Sequence, residues 1–444
     1  MNSPGAAQPE PLVSVAMLGA RMHFALPSIL ADAGLLHTLY TDTYLGNKAW
    51  LRKLISLPPE RLRPDVLKRI SGRVAEHIPQ DRVVSFDLLG LSYFWKRRHT
   101  LTPSELAALF AEVNTRFGNS VVRAGLLDTR YILGFNGAAL EIFTHARERG
   151  IKCILEQTMA PRKLELEVLR EETARWPNWQ IEIPDSAHDR LAQREAAEWK
   201  LADKIICGSR FVADALGREG VAPRRICVVP YGIDPEVFKP APRRHESTFR
   251  ILFVGEIGLR KGVPYLLEAL RALDRPEQIK AKLVGPLAVQ KQLLRQYDRW
   301  CEVVGNVSRQ EIQDFYQWAD VLVLPSLCEG SATVTYEAMA CGLPIITTAA
   351  SGSLVRDGVD GFIFPTGDIE KLKSQIALLC GDLRLRSQMS AAAIERREEI
   401  SLVAYGKRLL GALAFEPNES LRPIESFSAV RSYSAHIQTP FVGF

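Results

Sequence analysis

Short unbroken apolar runs recur along the chain, separated by stretches with helical spacing. In the first half they are Val13 to Leu18, Tyr131 to Phe135, Cys153 to Glu156, Lys204 to Cys207 and Ile226 to Val229. The second half has Ile251 to Val254, Ala281 to Val284, Val303 to Val304, Val321 to Leu324, Ile345 to Thr348 and Phe362 to Phe364. Continuous rather than alternating hydrophobicity suits strands buried on both faces, so each half predicts a parallel sheet between helices. The expected fold class is α/β, with two Rossmann-like, doubly wound domains facing a cleft. Prolines and charges crowd Lys239 to Thr248, a stretch unsuited to a sheet, and mark the linker. The expected division is 1–240, 248–400, and a C-terminal helix and tail over 401–444, for which a return to the first domain is an open option.

At 444 residues and 47% hydrophobic, the chain has material for two full cores. Its seven cysteines are odd in number, show no CxxC spacing and sit in or beside apolar runs, which argues for buried thiols rather than a disulfide framework or a zinc site. Met1 to Pro11 lacks the order of a signal peptide, and no apolar stretch reaches the length of about 18 residues that spans a bilayer. The expected location is the cytoplasm, with the inner face of the membrane as an option. Net charge is +5, unevenly spread. From Lys48 to Arg98 twelve basic residues (48, 52, 53, 61, 63, 68, 69, 73, 82, 96, 97, 98) face five acidic ones (60, 65, 76, 81, 87), interleaved with Trp50, Leu51, Tyr93, Phe94 and Trp95. Such a mixture suits an anionic membrane surface, and equally a solvated helical face. Nucleic acid is disfavoured, because no binding module accompanies the charge.

Three constellations carry chemistry. Ile251 to Gly262 followed by Val263 to Leu270 reads as strand, glycine-bearing loop and helix, with Arg260 and Lys261 at the carboxyl end of the strand, where open α/β sheets bind ligands. A cationic pair there suits a diphosphate. Glu329 and Glu337 flank a small-residue turn that leads from Val321–Leu324 into a helix start. Ionised carboxylates accept bonds from hydroxyls, although either acid alone is also explained by a favourable interaction with a helix N-terminus. Their spacing is not one that holds a metal, and the chain has no Asp-x-Asp pair, so no metal and no cofactor are expected. Finally, Gly19 closes the first strand, with Arg21 and His23 as cleft candidates. The loop lacks GxGxxG, which argues against a dinucleotide.

Taken in order, Arg-Lys-Gly262, Gly305-Asn-Val307, Val321 to Ser326, the Glu329 and Glu337 pair, Glu337 to Pro344 and Asp357 to Gly361 form a recognisable series. This series resembles the GT4 family of retaining glycosyltransferases, which have the GT-B fold. The resemblance is strong from about residue 195 to 370 and faint before. It implies a nucleoside diphosphate sugar as donor and a glycan, lipid-linked or small-molecule acceptor. Glu329 would contact the donor sugar's hydroxyls and Glu337 the ribose. Backbone amides from Gly330 through Ser331 and Ala332 to Thr333 would hold sugar and phosphate, and Lys261 would neutralise charge on the leaving diphosphate. Gly19 matches the glycine-rich loop against the donor phosphates.

Two positions depart from the family pattern. Glu256 stands where the family has an arginine, with Arg260 as the substitute cation, and the family's first-domain histidine is missing from Leu155 to Met159. That leaves Glu156, Gln157 and His23 as candidates for the polar partner. A sugar-nucleotide epimerase or hydrolase of the same fold, and a non-catalytic sugar-nucleotide-binding subunit, are the alternatives.

Overall fold

The computed structural model of the chain describes residues 12–48, 53, 73–75, 77–99, 102–126, 128–179, 186–241, 248–273 and 276–413. Parts of the segments weighed above therefore lie outside the described residues: 1–11, most of 49–72, the linker residues 242–247 and the tail from 414.

In the first sheet the strands are β1 (Val13–Met17), β2 (Leu36–Thr41), β3 (Val83–Ser85), β4 (Tyr131–Phe135), β5 (Lys152–Gln157), β6 (Lys204–Cys207) and β7 (Ile226–Val228). Their order is β3-β2-β1-β4-β5-β6-β7. The second sheet holds β8 (Phe249–Val254), β9 (Ile279–Val284), β10 (Cys301–Gly305), β11 (Val321–Leu324), β12 (Ile345–Thr348) and β13 (Gly361–Phe364), in the order β10-β9-β8-β11-β12-β13. Every neighbouring pair is parallel. All positions of β1, β11 and β12 are buried, which is why their sequences are apolar but for Ser14, Thr347 and Thr348, each hydrogen-bonded inside.

Each of the eleven apolar runs named above carries a strand. β2 and β3 lie outside those runs. β2 includes the half-buried His37 and Thr38, and β3 is a three-residue edge strand, so neither shows the unbroken apolar signal.

Strand order reverses direction between β1 and β4 in one sheet and between β8 and β11 in the other. Loops from adjacent strands diverge at such points and leave a crevice beyond the carboxyl ends. Two bonds tie the chain after the second domain to the first: Ile233 N–H donates to Ile400 O, and Leu402 N–H donates to Ile233 O, both at 2.9 Å. The helix Leu402–Leu413 then lies on the first domain, where Lys204 Nζ donates to Ala412 O (2.6 Å) and Arg408 to Pro230 O (3.0 Å). Tyr405 of this helix meets Tyr231 edge to face. These contacts fix the base of the cleft and leave its mouth to the strand ends.

Candidate functional site

Pairing of β8 with β11 aligns Val321 with Ile251 and Leu322 with Leu252, so the loops after the two strands emerge side by side. They are fastened together by backbone: Leu327 N–H donates to Arg260 O at 2.9 Å. Gly262 makes this approach feasible, because its φ of +68° is left-handed and a Cβ there would fall 2.0 Å from Pro325 O. With the loops fixed, Lys261 Nζ sits 2.6 Å from Glu329 Oε1 and Arg260 donates to the same oxygen at 2.9 Å. Arg260 also reaches Cys328 O (3.2 Å) and, at 3.7 Å, Glu165 on the first domain's helix Arg162–Arg175.

All three charged groups of this cluster are nearly buried. Burial lowers the Lys261 ammonium below its ordinary range, and Glu329 offsets only part of that, with Arg260 working against it. For Glu329, burial raises the carboxyl but Arg260 and Lys261 outweigh it, so the net direction is down and the group is ionised at neutral pH. Burial likewise lowers Arg260, and Glu329, Glu165 and Glu256 more than compensate, so it stays charged. Glu256 therefore adds to this same field.

The helix Thr333–Ala340 opens just beyond Glu329. Its N-cap is Ala332, whose side chain caps nothing, so the first amides are not satisfied by a side-chain cap. One expected donor is already engaged: Ala332 N–H bonds to Ser351 O at 3.0 Å. The Ser331 hydroxyl is likewise held, 2.6 Å from Tyr336 Oη. That leaves the amides of Gly330, Ser331 and Thr333 at the helix start as candidates for an anion. Glu337, one turn into the helix, is buried and accepts a bond from Tyr316 Oη at 2.7 Å. It lines a pocket with Val254, Gly255, Gly285, Asn306 and Ile312. Glu337 thus closes an apolar chamber, while Glu329 sits in the cation cluster.

Across the cleft, the chain leaving β1 runs through Met22, His23 and Phe24, all with positive φ (45°, 48° and 62°). Three consecutive non-glycine residues in this region store backbone strain, a frequent mark of a functional turn. The Gly19 amide is held by Asp42 Oδ1 (2.9 Å), and Asp42 in turn by Arg73 (2.6 Å). Arg21 donates to Thr158 Oγ1 at 2.8 Å and lies over the Phe135 ring. Glu156, at the end of β5, is 1% exposed and accepts the Tyr231 hydroxyl at 2.9 Å, while its Oε2 has no partner. Burial pushes its carboxyl up to about 8, more than Tyr231 and Arg21 bring it down. Gln157 points the other way. Its amide donates to Met159 O and Glu195 and accepts from Trp199, so it is used entirely inside the first domain.

The halves touch at the site. Ser209 Oγ donates to Gly330 O, and a Cβ on Gly330 would fall 1.8 Å from Thr158 O. Thr158, the partner of Arg21, therefore lies against the loop that carries Glu329. Arg260, Lys261, Glu329 and the 330–333 turn form one cluster, with Arg21 and Glu156 facing it from the first domain. Several participants gave no usable sequence signal: Asp42, Arg73, Thr158 and Glu165. For Glu165 the one available hint is its spacing of seven from Glu172, which places both on one helix face; Glu172 also crosses to the second domain, where the Tyr265 hydroxyl donates to it.

Residues 248–382 match the family model described as Glycosyl transferases group 1. The match begins at β8 and ends beyond β13, so it takes in the whole second sheet and none of the first. A D-inositol 3-phosphate glycosyltransferase from Kribbella flavida is 28% identical over 243 residues, covering 49% of this chain and 57% of that protein. Another, from Geodermatophilus obscurus, is 29% identical over 271 residues, 53% of this chain and 60% of the relative. The chain thus spans a little over half the length of the curated relatives it matches. Sucrose-phosphate synthase from Thermosynechococcus elongatus superposes with a TM-score of 0.64 at 20% identity, covering 91% of this chain and all of that one. WaaG, a glycosyltransferase of lipopolysaccharide biosynthesis, gives 0.57 at 15% identity over 90% of this chain and 98% of its own. Anabaena HepE, solved with UDP and glucose, gives 0.56 at 16% over 90% and 98%. At these identities the likeness shows the fold, two Rossmann-like domains of the GT-B type.

The buried Glu156 carboxyl yields a pH prediction. Its folded value lies above the ordinary 4.5, so the stability it contributes is present at low pH and is lost as pH rises from there through about 8. Glu156→Gln keeps the acceptor for Tyr231 and removes the ionisation. Melting temperatures of variant and wild type should be close near about pH 5 and diverge by about pH 8.5, with the variant higher by an amount worth a few kcal/mol at most. An equal gap at both pH values contradicts the assignment.

Proposed function

We propose that the chain is a retaining, metal-independent glycosyltransferase that moves a sugar from a nucleoside diphosphate sugar to an acceptor hydroxyl. The observation that carries this reading is the buried Arg260–Lys261–Glu329 cluster beside an uncapped helix start and the Glu337 pocket. Two cations share the Glu329 carboxylate there, with Glu165 3.7 Å from Arg260, and their remaining N–H donors can hold a further anion. A donor diphosphate supplies that anion, and the 330–333 amides add donors to it. Glu337 takes the ribose hydroxyls, with the pocket lined by Val254 and Ile312 enclosing the base. Once the diphosphate engages the cations, Glu329 is released to accept bonds from the sugar's hydroxyls.

In the reaction the bond from the anomeric carbon to the diphosphate oxygen breaks, and a bond from that carbon to the acceptor oxygen forms on the same face. The hydroxyl proton passes to a diphosphate oxygen. Arg260 and Lys261 lower the barrier by matching charge that grows on the leaving group, the kind of preorganised electrostatic effect that contributes several kcal/mol in enzymes. The acceptor enters from the side of Arg21 and Glu156. Protonated at neutral pH, Glu156 offers a donor hydroxyl there rather than a second negative charge. Contact between Gly330 and Thr158 excludes water from the bond being broken. The Kribbella and Geodermatophilus relatives share one name, D-inositol 3-phosphate glycosyltransferase, whereas WaaG takes part in lipopolysaccharide biosynthesis, so the names span small-molecule and glycan acceptors.

Calorimetry tests the division of labour, using whichever of UDP, GDP or ADP raises the melting temperature most. Glu337→Ala should weaken the nucleoside diphosphate and its sugar alike, by about tenfold to a hundredfold, as expected for lost bonds to a charged acceptor. Glu329→Ala should leave nucleoside diphosphate binding equal or tighter, because it frees two cations, while abolishing transfer. Equal losses in both variants reject the assignment. Transfer assayed with excess EDTA should proceed at the same rate and yield product with the donor's anomeric configuration by proton NMR. Loss of activity on chelation, inversion, or turnover of the donor without acceptor would each favour a different reaction.

A further inference from the structure

The helix Asp87–His99, which follows β3 in the first domain, shows solvent the wrong kind of face. Its exposed positions are Leu88, Leu91, Trp95, Arg98 and His99. These fall at i, i+3, i+7, i+10 and i+11, a single stripe along the helix. The three apolar members are 84%, 51% and 66% exposed. A helix packed on a globular core normally turns its polar residues outward, whereas here the buried face already has its own apolar set in Leu89 and the partly buried Tyr93. Trp95 packs against the exposed His99 with the rings tilted and their centroids 4.8 Å apart, so the indole lies along the surface stripe.

Charge continues the stripe. Lys96, Arg97, Arg98 and His99 form the last turn. At the other end Lys48 Nζ binds Asp87, within 3.0 Å of both carboxylate oxygens. Apolar side chains, an interfacial tryptophan and flanking cations in one plane are the composition of a surface that lies in the head-group region of a bilayer. Lys96 is paired with Glu112 at 2.6 Å, which leaves Arg98 and His99 as the exposed basic residues of the stripe. A water-soluble partner protein of acidic character would match these but gives no reason for an exposed Trp95.

We infer that the stripe Leu88–Leu91–Trp95, continued by Arg98, docks the protein on an anionic membrane surface. The geometry gives this docking a consequence for the cleft. Gly90 of the same helix lies against Asp42 and Thr43, and Asp42 holds the Gly19 amide. Docking by this stripe therefore brings the β1 loop, on the acceptor side of the cleft, close to the head-groups. The surface itself is independent of the glycosyltransferase reading.

Sedimentation of the full chain with vesicles of phosphatidylcholine, with and without phosphatidylglycerol, tests the inference. The wild type should pellet with the anionic vesicles only, and salt should weaken the binding. Leu88→Ser/Leu91→Ser/Trp95→Ser should bind about tenfold more weakly or worse, and Arg98→Glu should lose a smaller part. All four positions are exposed, so folding should be preserved, and the melting-temperature rise given by the preferred nucleoside diphosphate should be the same in every variant. A wild type that stays in the supernatant overturns the inference, as does a triple variant that pellets equally. A stripe that instead mediates self-association, seen as a dimer lost in the triple variant by analytical ultracentrifugation, also overturns it. A wild type that binds vesicles but shows no nucleoside diphosphate shift leaves the docking surface standing and removes the glycosyltransferase reading instead.

Discussion

Two cations and one carboxylate buried together at the carboxyl ends of β8 and β11 are the constraint on which the rest of the site depends. Taking charge out of water is costly, and the attraction between Lys261, Arg260 and Glu329 offsets that cost only because the geometry is close and shared. Glu165, 3.7 Å from Arg260, and Glu256 add acidic charge around the same cations. Under the proposed function, a donor diphosphate would use the remaining N–H donors of Arg260 and Lys261 together with the adjacent amides that no side chain caps.

The fold explains why the cluster forms. Parallel pairing of β8 with β11 places the two loops together, and Gly262 lets them touch. On the opposite wall, the strained turn from Met22 to Phe24 and the bond from Arg21 to Thr158 shape the side where an acceptor hydroxyl would approach. The helix Leu402–Leu413 fastens the base, so the two walls share one framework. Contact between Gly330 and Thr158 then links the state of one domain to the loop that carries Glu329.

Much of this was legible in the sequence where the signal is local. Buried parallel strands advertise themselves as apolar runs, and the second domain's motifs are contiguous loops at strand ends, so Arg260, Lys261, Glu329 and Glu337 could be named from their neighbours. What could not be read is what depends on distance along the chain. That Glu329 is shared by both cations, that Ala332 N–H is taken by Ser351, and that Gln157 spends its amide inside the first domain are outcomes of packing between remote segments. β2 was missed because the partly buried His37 and Thr38 interrupt its apolar run, and Asp42, just after it, because nothing in its own neighbourhood marks it as the acceptor of the Gly19 amide. Nor did the Lys48–Arg98 charge excess reveal that Leu88, Leu91 and Trp95 share one exposed stripe, which depends on how their helix packs.

The most direct test of the central claim is a crystal structure with the nucleoside diphosphate that the protein binds best. The account predicts diphosphate oxygens within hydrogen-bonding distance of Lys261 Nζ and the Arg260 guanidinium, the ribose on Glu337, and the contact between Lys261 and Glu329 lengthened beyond its 2.6 Å. A diphosphate bound elsewhere, with the Arg260–Lys261–Glu329 cluster intact, would contradict it.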